Sequence, residues 1–325
     1  MLASVKHESA LVRSRARRCC AVACLFAGLP AFAQDIPLEF GWGRALEADV
    51  EASHRIRKGD RTVDVRVTYR MQALRDDDGY RVRAANLVAR KDGRIVKSGA
   101  RSAVLVQFMG LIPDWRIATA GGFVGLADYS CQRDKARRYF TETAASSSAE
   151  ARRWVDQITS REVLSLHANQ HWNAIVGDWA GKRIGIGETA REESVEAVAL
   201  PSLGDSSIRT RHEYTALERL PCHERMVDER CVKIRRVSRP DAGDLERAYA
   251  RLRKSFPEMA KNAGGKGRME VVTTLELVTD PETLRPYRLS SITRRGAADS
   301  DELRVAYKYD STLRDFRPLP SECAH

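Results

Sequence analysis

From Leu46 onward the chain alternates. Leu46, Ala48, Val50, Ala52 and Ile56 are apolar, and Glu47, Asp49, Glu51, Ser53 and Arg55 stand between them. After Lys58-Gly59-Asp60, the series Val63, Val65, Val67, Tyr69 and Met71 alternates with Asp64, Arg66, Thr68 and Arg70. Asp76-Asp77-Asp78-Gly79 turns the chain into Tyr80, Val82 and Ala84, and Lys91-Asp92-Gly93-Arg94 reads as another turn. A period of two punctuated by Gly and Asp predicts an antiparallel meander with one wet and one dry face. A further hairpin is predicted around Ala120-Gly121-Gly122, between Trp115-Arg116-Ile117 and Phe123-Val124-Gly125-Leu126.

The period then changes. Gly and Pro are absent from Gln132 to Val176, and Trp154 with Ile158, then Trp172, Ile175, Val176 and Trp179, recur at helical spacing. Ser146-Ser147-Ser148 followed by Glu150 marks a break and a new helix start, and Gly177 and Gly181 end this helical insert. Strand-like runs return near Arg183 to Gly187, Ser194 to Leu200, Ile208 to Leu220 and Cys231 to Val237. A helix is predicted from Asp241 to Lys261, with Leu245, Ala248, Tyr249, Leu252, Phe256 and Met259 on one face and Pro257 kinking or shortening it. Three last strands cover Met269 to Val278, Tyr287 to Thr293 and Leu303 to Tyr309, with Asp280-Pro281-Glu282-Thr283 as a turn and an extended tail after Asp315.

Strands that follow one another in sequence predict an α+β fold with an antiparallel sheet, not a crossover βαβ fold. The expectation is a curved antiparallel sheet of half-barrel-like meanders, packed on the inserted amphipathic helices. Residues 34–325 form a single domain in this reading, and the rival is a sub-domain division near Gly181.

The start of the chain changes the picture. Lys6, Arg13, Arg15, Arg17 and Arg18 precede an apolar run from Cys19 to Leu29, then Pro30 and Ala31-Phe32-Ala33. That is the pattern of a secretory signal peptide cleaved near Ala33, and the run is shorter than the roughly 20 residues a membrane anchor needs. A lipoprotein cysteine at Cys24 fits less well, because Leu25 and Phe26 continue the apolar run. The expected location is the bacterial periplasm or the medium. Loss of those five basic residues and Glu8 takes the formal charge from +11 to +7 over 292 remaining residues. Outside the cytoplasm a basic chain meets anionic envelope surfaces, not nucleic acid. Four cysteines remain, and an even number in an oxidising compartment predicts disulfides with three possible connectivities. Cys222 and Cys231 flank a polar stretch between two strands and could pair across a hairpin, which leaves Cys131 for Cys323.

No stretch carries a reaction signature. Gly177, Gly181 and Lys182 lack the spacing and the Ser or Thr of a phosphate loop, and Gly185-Ile186-Gly187 is not followed by a helix as a dinucleotide fingerprint requires. His167 and His171 fall on one helical face as a weak metal-ligand pair, but Ala168 stands where a zinc hydrolase needs its Glu. There is no Gly-x-Ser-x-Gly elbow, and paired disulfides leave no catalytic thiol. Asp301-Glu302 and Glu192-Glu193 read as solvated charge, since adjacent strand residues face opposite ways. No cofactor is implied, and a non-enzymatic role is the stronger expectation.

The order of meanders and inserted amphipathic helices resembles the half-barrel lipid and lipoprotein carriers of the bacterial envelope. Trp172 to Trp179 and Tyr214 to Cys222 also resemble segments of uncharacterised secreted proteins of proteobacteria. The carrier resemblance implies a curved sheet and a helical lid with an apolar space between them for acyl chains. Tyr69, Met71, Trp115, Trp154, Trp172, Trp179, Tyr249 and Phe256 are the candidates to line it. An exported binding protein for a lipid or other apolar ligand is therefore the first expectation. An envelope interaction or assembly protein is the second, and a hydrolase acting on envelope material the third.

Overall fold

The computed structural model describes residues 35–95, 114–143, 148–197, 206–223, 227–257, 270–296 and 299–309. The expected signal segment with Ala33 and Cys24, the extended tail, and Cys323 lie outside the described residues. The residues described fall in one compact unit.

Two meanders make one antiparallel sheet. The first runs through β2 (Ala45–Lys58), β3 (Arg61–Arg75), β4 (Gly79–Lys91), β5 (Arg94–Ile95), β6 (Trp115–Ala118) and β7 (Phe123–Leu126). The second runs through β9 (Thr189–Ala197), β10 (Ser207–Leu220), β11 (Cys231–Pro240), β12 (Val271–Thr279), β13 (Pro286–Arg295) and β14 (Asp299–Tyr309). They join where β14 pairs with β2, so the strand order is β7-β6-β4-β3-β2-β14-β13-β12-β11-β10-β9, with β5 on β4. Every ladder between named strands is antiparallel, as the alternation predicts. The sheet is curved but open: β7 and β9 are its edges. Alternate residues of β2 (Leu46, Ala48, Val50, Ala52) are buried on the inner face, while Asp49, Glu51 and Arg55 face solvent.

Four helices accompany the sheet among the described residues. They are α1 (Tyr129–Thr143), α2 (Ala149–Ile158), α3 (Arg161–Trp172) and α4 (Ala242–Ser255), and a π-helical turn, Asn173–Gly177, extends α3. Ser148 caps α2 as its serine run predicts, accepting from the Ala151 amide at 3.1 Å. The helical insert divides once more than its periodicity indicates: Thr159 ends α2, and Ser160 caps α3 by accepting from Val163 N–H at 3.3 Å. Asp241 caps α4, and the helix stops at Ser255 ahead of Pro257.

One end of the hollow is sealed by a segment whose role the alternation does not reveal. β1 (Ile36–Pro37) pairs with β8 (Arg183–Ile184) in a separate small sheet. The predicted strand at Arg183 to Gly187 is thus only two residues long, because Gly185 to Gly187 turn toward β9. Leu38, Phe40 and Trp42 follow β1 and pack over Trp172, with ring centroids 5.9 Å (Phe40) and 5.2 Å (Trp42) away. The Trp172 indole donates to Gly121 O at 2.7 Å, and Gly121, at φ +87°, lies so close to Phe40 that a Cβ would meet its ring at 2.8 Å. Trp179 donates to Ala174 O at 3.0 Å and packs on Tyr214 of β10 at 5.6 Å, while Phe40 packs on Tyr80 of β4 at 5.3 Å. Strands from opposite flanks of the sheet therefore converge on one aromatic cluster, which is the physical meaning of its curvature. At this same end Cys222 and Cys231 form a disulfide between the ends of β10 and β11. Cys131 is also disulfide-bonded, and its expected partner Cys323 lies outside the described residues.

Candidate functional site

Away from the sealed end, the inner face changes character row by row. Val67, Ala52, Val305, Leu289, Leu277 and Ile234 are successive cross-strand partners from β3 to β11, all apolar and buried. The next row on this face is mixed: Val65, His54, Leu303, Ser291, Leu275 and Arg236. The row beyond is polar from β14 to β10: Asp301, Thr293, Thr273, Ser238 and His212. Within it the Thr273 and Thr293 hydroxyls lie 3.0 Å apart, and His212 Nδ1 lies 2.9 Å from Ser238 Oγ. His212 Nε2 extends the chain to Ser194 Oγ of β9 at 2.9 Å. Ser238 and His212 are buried and the rest of the row is half-buried. Such polar groups are tolerated where they find hydrogen-bond partners, as His212 does with Ser238 and Ser194 and Thr273 with Thr293.

A cavity of about 310 Å³ lies across these three rows, with α3 as its other wall. Ala52, Tyr69, Leu289 and Val305 form its apolar end, Leu275, Leu303, Ser291 and His54 its middle, and Thr293 and Asp301 its polar end. His167, Gln170 and His171 of α3 and Ala174 of the π-helical turn face them. Inserting an extra residue per turn at Asn173–Gly177 lets this element send Ile175, Val176 and Trp179 into the core beside the cavity-lining Ala174. The volume falls in the range of small-molecule sites, roughly 300–1,000 Å³.

Charge in the cavity is confined to its polar end. His54 Nε2 is in direct contact with Asp301 Oδ1, and Arg295 stands 3.9 Å from the other carboxylate oxygen. Asp301 is therefore a partly buried partner of His54; its expected solvated state is corrected by its position on the inner face beside Leu303 and Val305, while Glu302 turns outward to Arg304. Burial pushes the imidazole of His171 down to about 4 and lowers that of His167, so both are neutral donors or acceptors at pH 7. Burial raises the Tyr69 hydroxyl well above its ordinary value. Beside the cavity, Arg236 ion-pairs with Asp178 after the π-helical turn, and burial lowers its guanidinium to about 10.

The eight residues proposed from sequence part company here. Tyr69 lines the cavity, and Trp115 packs on its wall residue His171 at 5.5 Å. Met71, Trp172 and Trp179 are buried in the main core. Trp154 of α2 and Phe256 after α4 pack on each other at 5.1 Å, and Tyr249 lies half-buried on α4. His167 and His171 both line the cavity, but among the described residues no group of three His, Cys, Asp or Glu side chains is placed to hold a metal ion. His212 has hydroxyls on both ring nitrogens, with Glu196 only at 3.8 Å, so it lacks the orienting carboxylate of a hydrolytic triad. His54, Asp301, Ser291 and Thr293 were not among the eight. Their signal lies in the alternation: each occupies an apolar parity position of its strand and is polar. No helix among the described residues is long and apolar enough to cross a membrane. Comparison of the chain with protein families, curated proteins and solved structures finds no match.

Proposed function

We propose that this protein binds an amphipathic ligand, one short acyl chain or a comparable apolar group carrying a polar head, in the cavity beneath α3. The observation that carries the reading is the row-by-row gradient of the inner face, from Ala52, Leu289 and Val305 to Thr293 and Asp301, within one cavity. An apolar tail against the first set loses water at about 25 cal/mol per Å² of buried surface. The head then meets His54, Ser291, Thr293 and Asp301 on the sheet and Gln170 and His167 on the helix. Nothing in this binding requires a reaction. The signal-like N-terminus and the Cys222–Cys231 disulfide support a site of action in an oxidising compartment, the bacterial envelope or beyond it.

Native mass spectrometry of protein purified from the bacterial envelope tests the proposal. The expected result is a co-purifying amphiphile that is lost in Ala174→Leu, whose longer side chain fills the cavity. Protein that carries no ligand, and that fails to take up a fluorescent fatty acid, sinks it.

A further inference from the structure

The outer face of the same sheet carries an independent feature. Ile95 of β5, Arg90 of β4, Arg66 of β3, Ser53 of β2 and Arg304 of β14 are successive cross-strand partners in one row. Ser53 and the three arginines line an open depression of about 720 Å³. Two of its arginines are already engaged, Arg304 by Glu302 at 2.5 Å and Arg55, beside the row, by Asp64 at 2.8 Å. Arg66 and Arg90 face each other across adjacent strands with no carboxylate partner among the described residues, and Asp92 is the remaining acid in the depression. Like charges placed directly opposite on neighbouring strands repel. A phosphate bridging the two guanidiniums removes that repulsion and matches their forked donors.

Apolar side chains flank the pair. Ile95, at the end of the row, is 61% exposed, and Val88, two residues before Arg90 on the same face, is 39% exposed. Unpaired arginines beside bare aliphatic side chains suit the headgroup layer of a bilayer, where anionic phosphates meet the first apolar carbons. We propose that this corner of β3, β4 and β5 docks onto an anionic lipid surface, with Arg66 and Arg90 sharing a lipid phosphate and Ile95 and Val88 entering the interface. Docking does not depend on the cavity being a ligand site.

Vesicle flotation of the purified protein tests it, using phosphatidylcholine alone and phosphatidylcholine mixed with phosphatidylglycerol. Binding is expected only to the anionic vesicles and weakens with added salt. The double variant Arg66→Glu/Arg90→Glu loses on the order of tenfold in affinity or more. It also keeps a like-charge pair across the strands, so its melting curve stays close to that of the parent. Ile95→Ser gives a smaller loss. Equal binding to neutral vesicles, unchanged binding of the double variant, or inorganic phosphate binding without vesicle association overturns the proposal.

Discussion

At one end of the hollow, Leu38, Phe40 and Trp42 close over Trp172 in the main core. At the other, the same sheet presents His54, Ser291, Thr293 and Asp301 beneath α3, with a cavity between. Both ends rest on the same strands, the same twist and the same alternation. What differs is the residue at every second position and the presence of a sealing segment. Large apolar side chains on the inner face interlock with tryptophans, whereas short hydroxyls and a His–Asp pair satisfy one another within the sheet and do not fill the space above it. The sealed end is packed core, and the other end keeps a cavity.

Removing the keystone of the sealed end separates the two most strongly. Trp172→Ala deletes a side chain with 0% exposure and leaves Gly121 O without its indole donor, at an expected cost of about 3–5 kcal/mol. A urea midpoint near that of the parent would show that the seal does not carry the fold. Cys222→Ser with Cys231→Ser acts at the same end; opening a bridge of sequence separation 9 costs about 2–3 kcal/mol on the loop-entropy reading, seen as a lower melting temperature. Ligand uptake at low temperature should be unchanged, because the bridge lies away from the cavity.

The open end responds to pH. His171 and His167 have lowered values in the folded protein, so the unfolded chain binds more protons once the pH falls below about 6.5. Stability from these groups is complete above that point and is lost as the pH falls from about 6.5 toward 4. Melting temperatures at pH 7 and pH 5 measure it, and His171→Gln should flatten the difference. His212 is the other imidazole lowered by burial among the described residues, so equal slopes in parent and variant would place the acid sensitivity there or elsewhere. Smallest is Asp301→Asn, which removes the charge beside His54 but keeps its size. It should change which headgroups bind, by a few fold in affinity measured by displacement of a fluorescent fatty acid.

The elements of the sheet were legible because burial imposes a period of two, and Val63 to Met71 could hardly be read otherwise. Ser148 announced its helix as a cap, while Asp241, where the second helix was expected to begin, proves to be its cap. The seal was not legible: Ile36, Leu38, Phe40 and Trp42 alternate with Pro37, Glu39 and Gly41, but only Ile36–Pro37 forms a strand, and alternation does not say that these side chains close over Trp172. Nor was the cavity. Trp172 and Trp179 advertise apolar surface, but a sequence does not say whether such surface meets side chains or empty space. The better pointer was the polar residue on the wrong parity, His54 among Val50, Ala52 and Ile56, where the pattern is broken at a cost that only local partners offset.

The hydrogen bonds between β2 and β14 have a consequence for biogenesis. They link residues 48–57 to 300–309, so the centre of the sheet joins an early and a late stretch of the described residues. A nascent chain holds two unjoined sheets until residues 300–309 have been made, and such distant pairing is slow to form. The polypeptide thus stays short of its native state while it emerges, and losing β14 would split the sheet down the middle, not trim an edge.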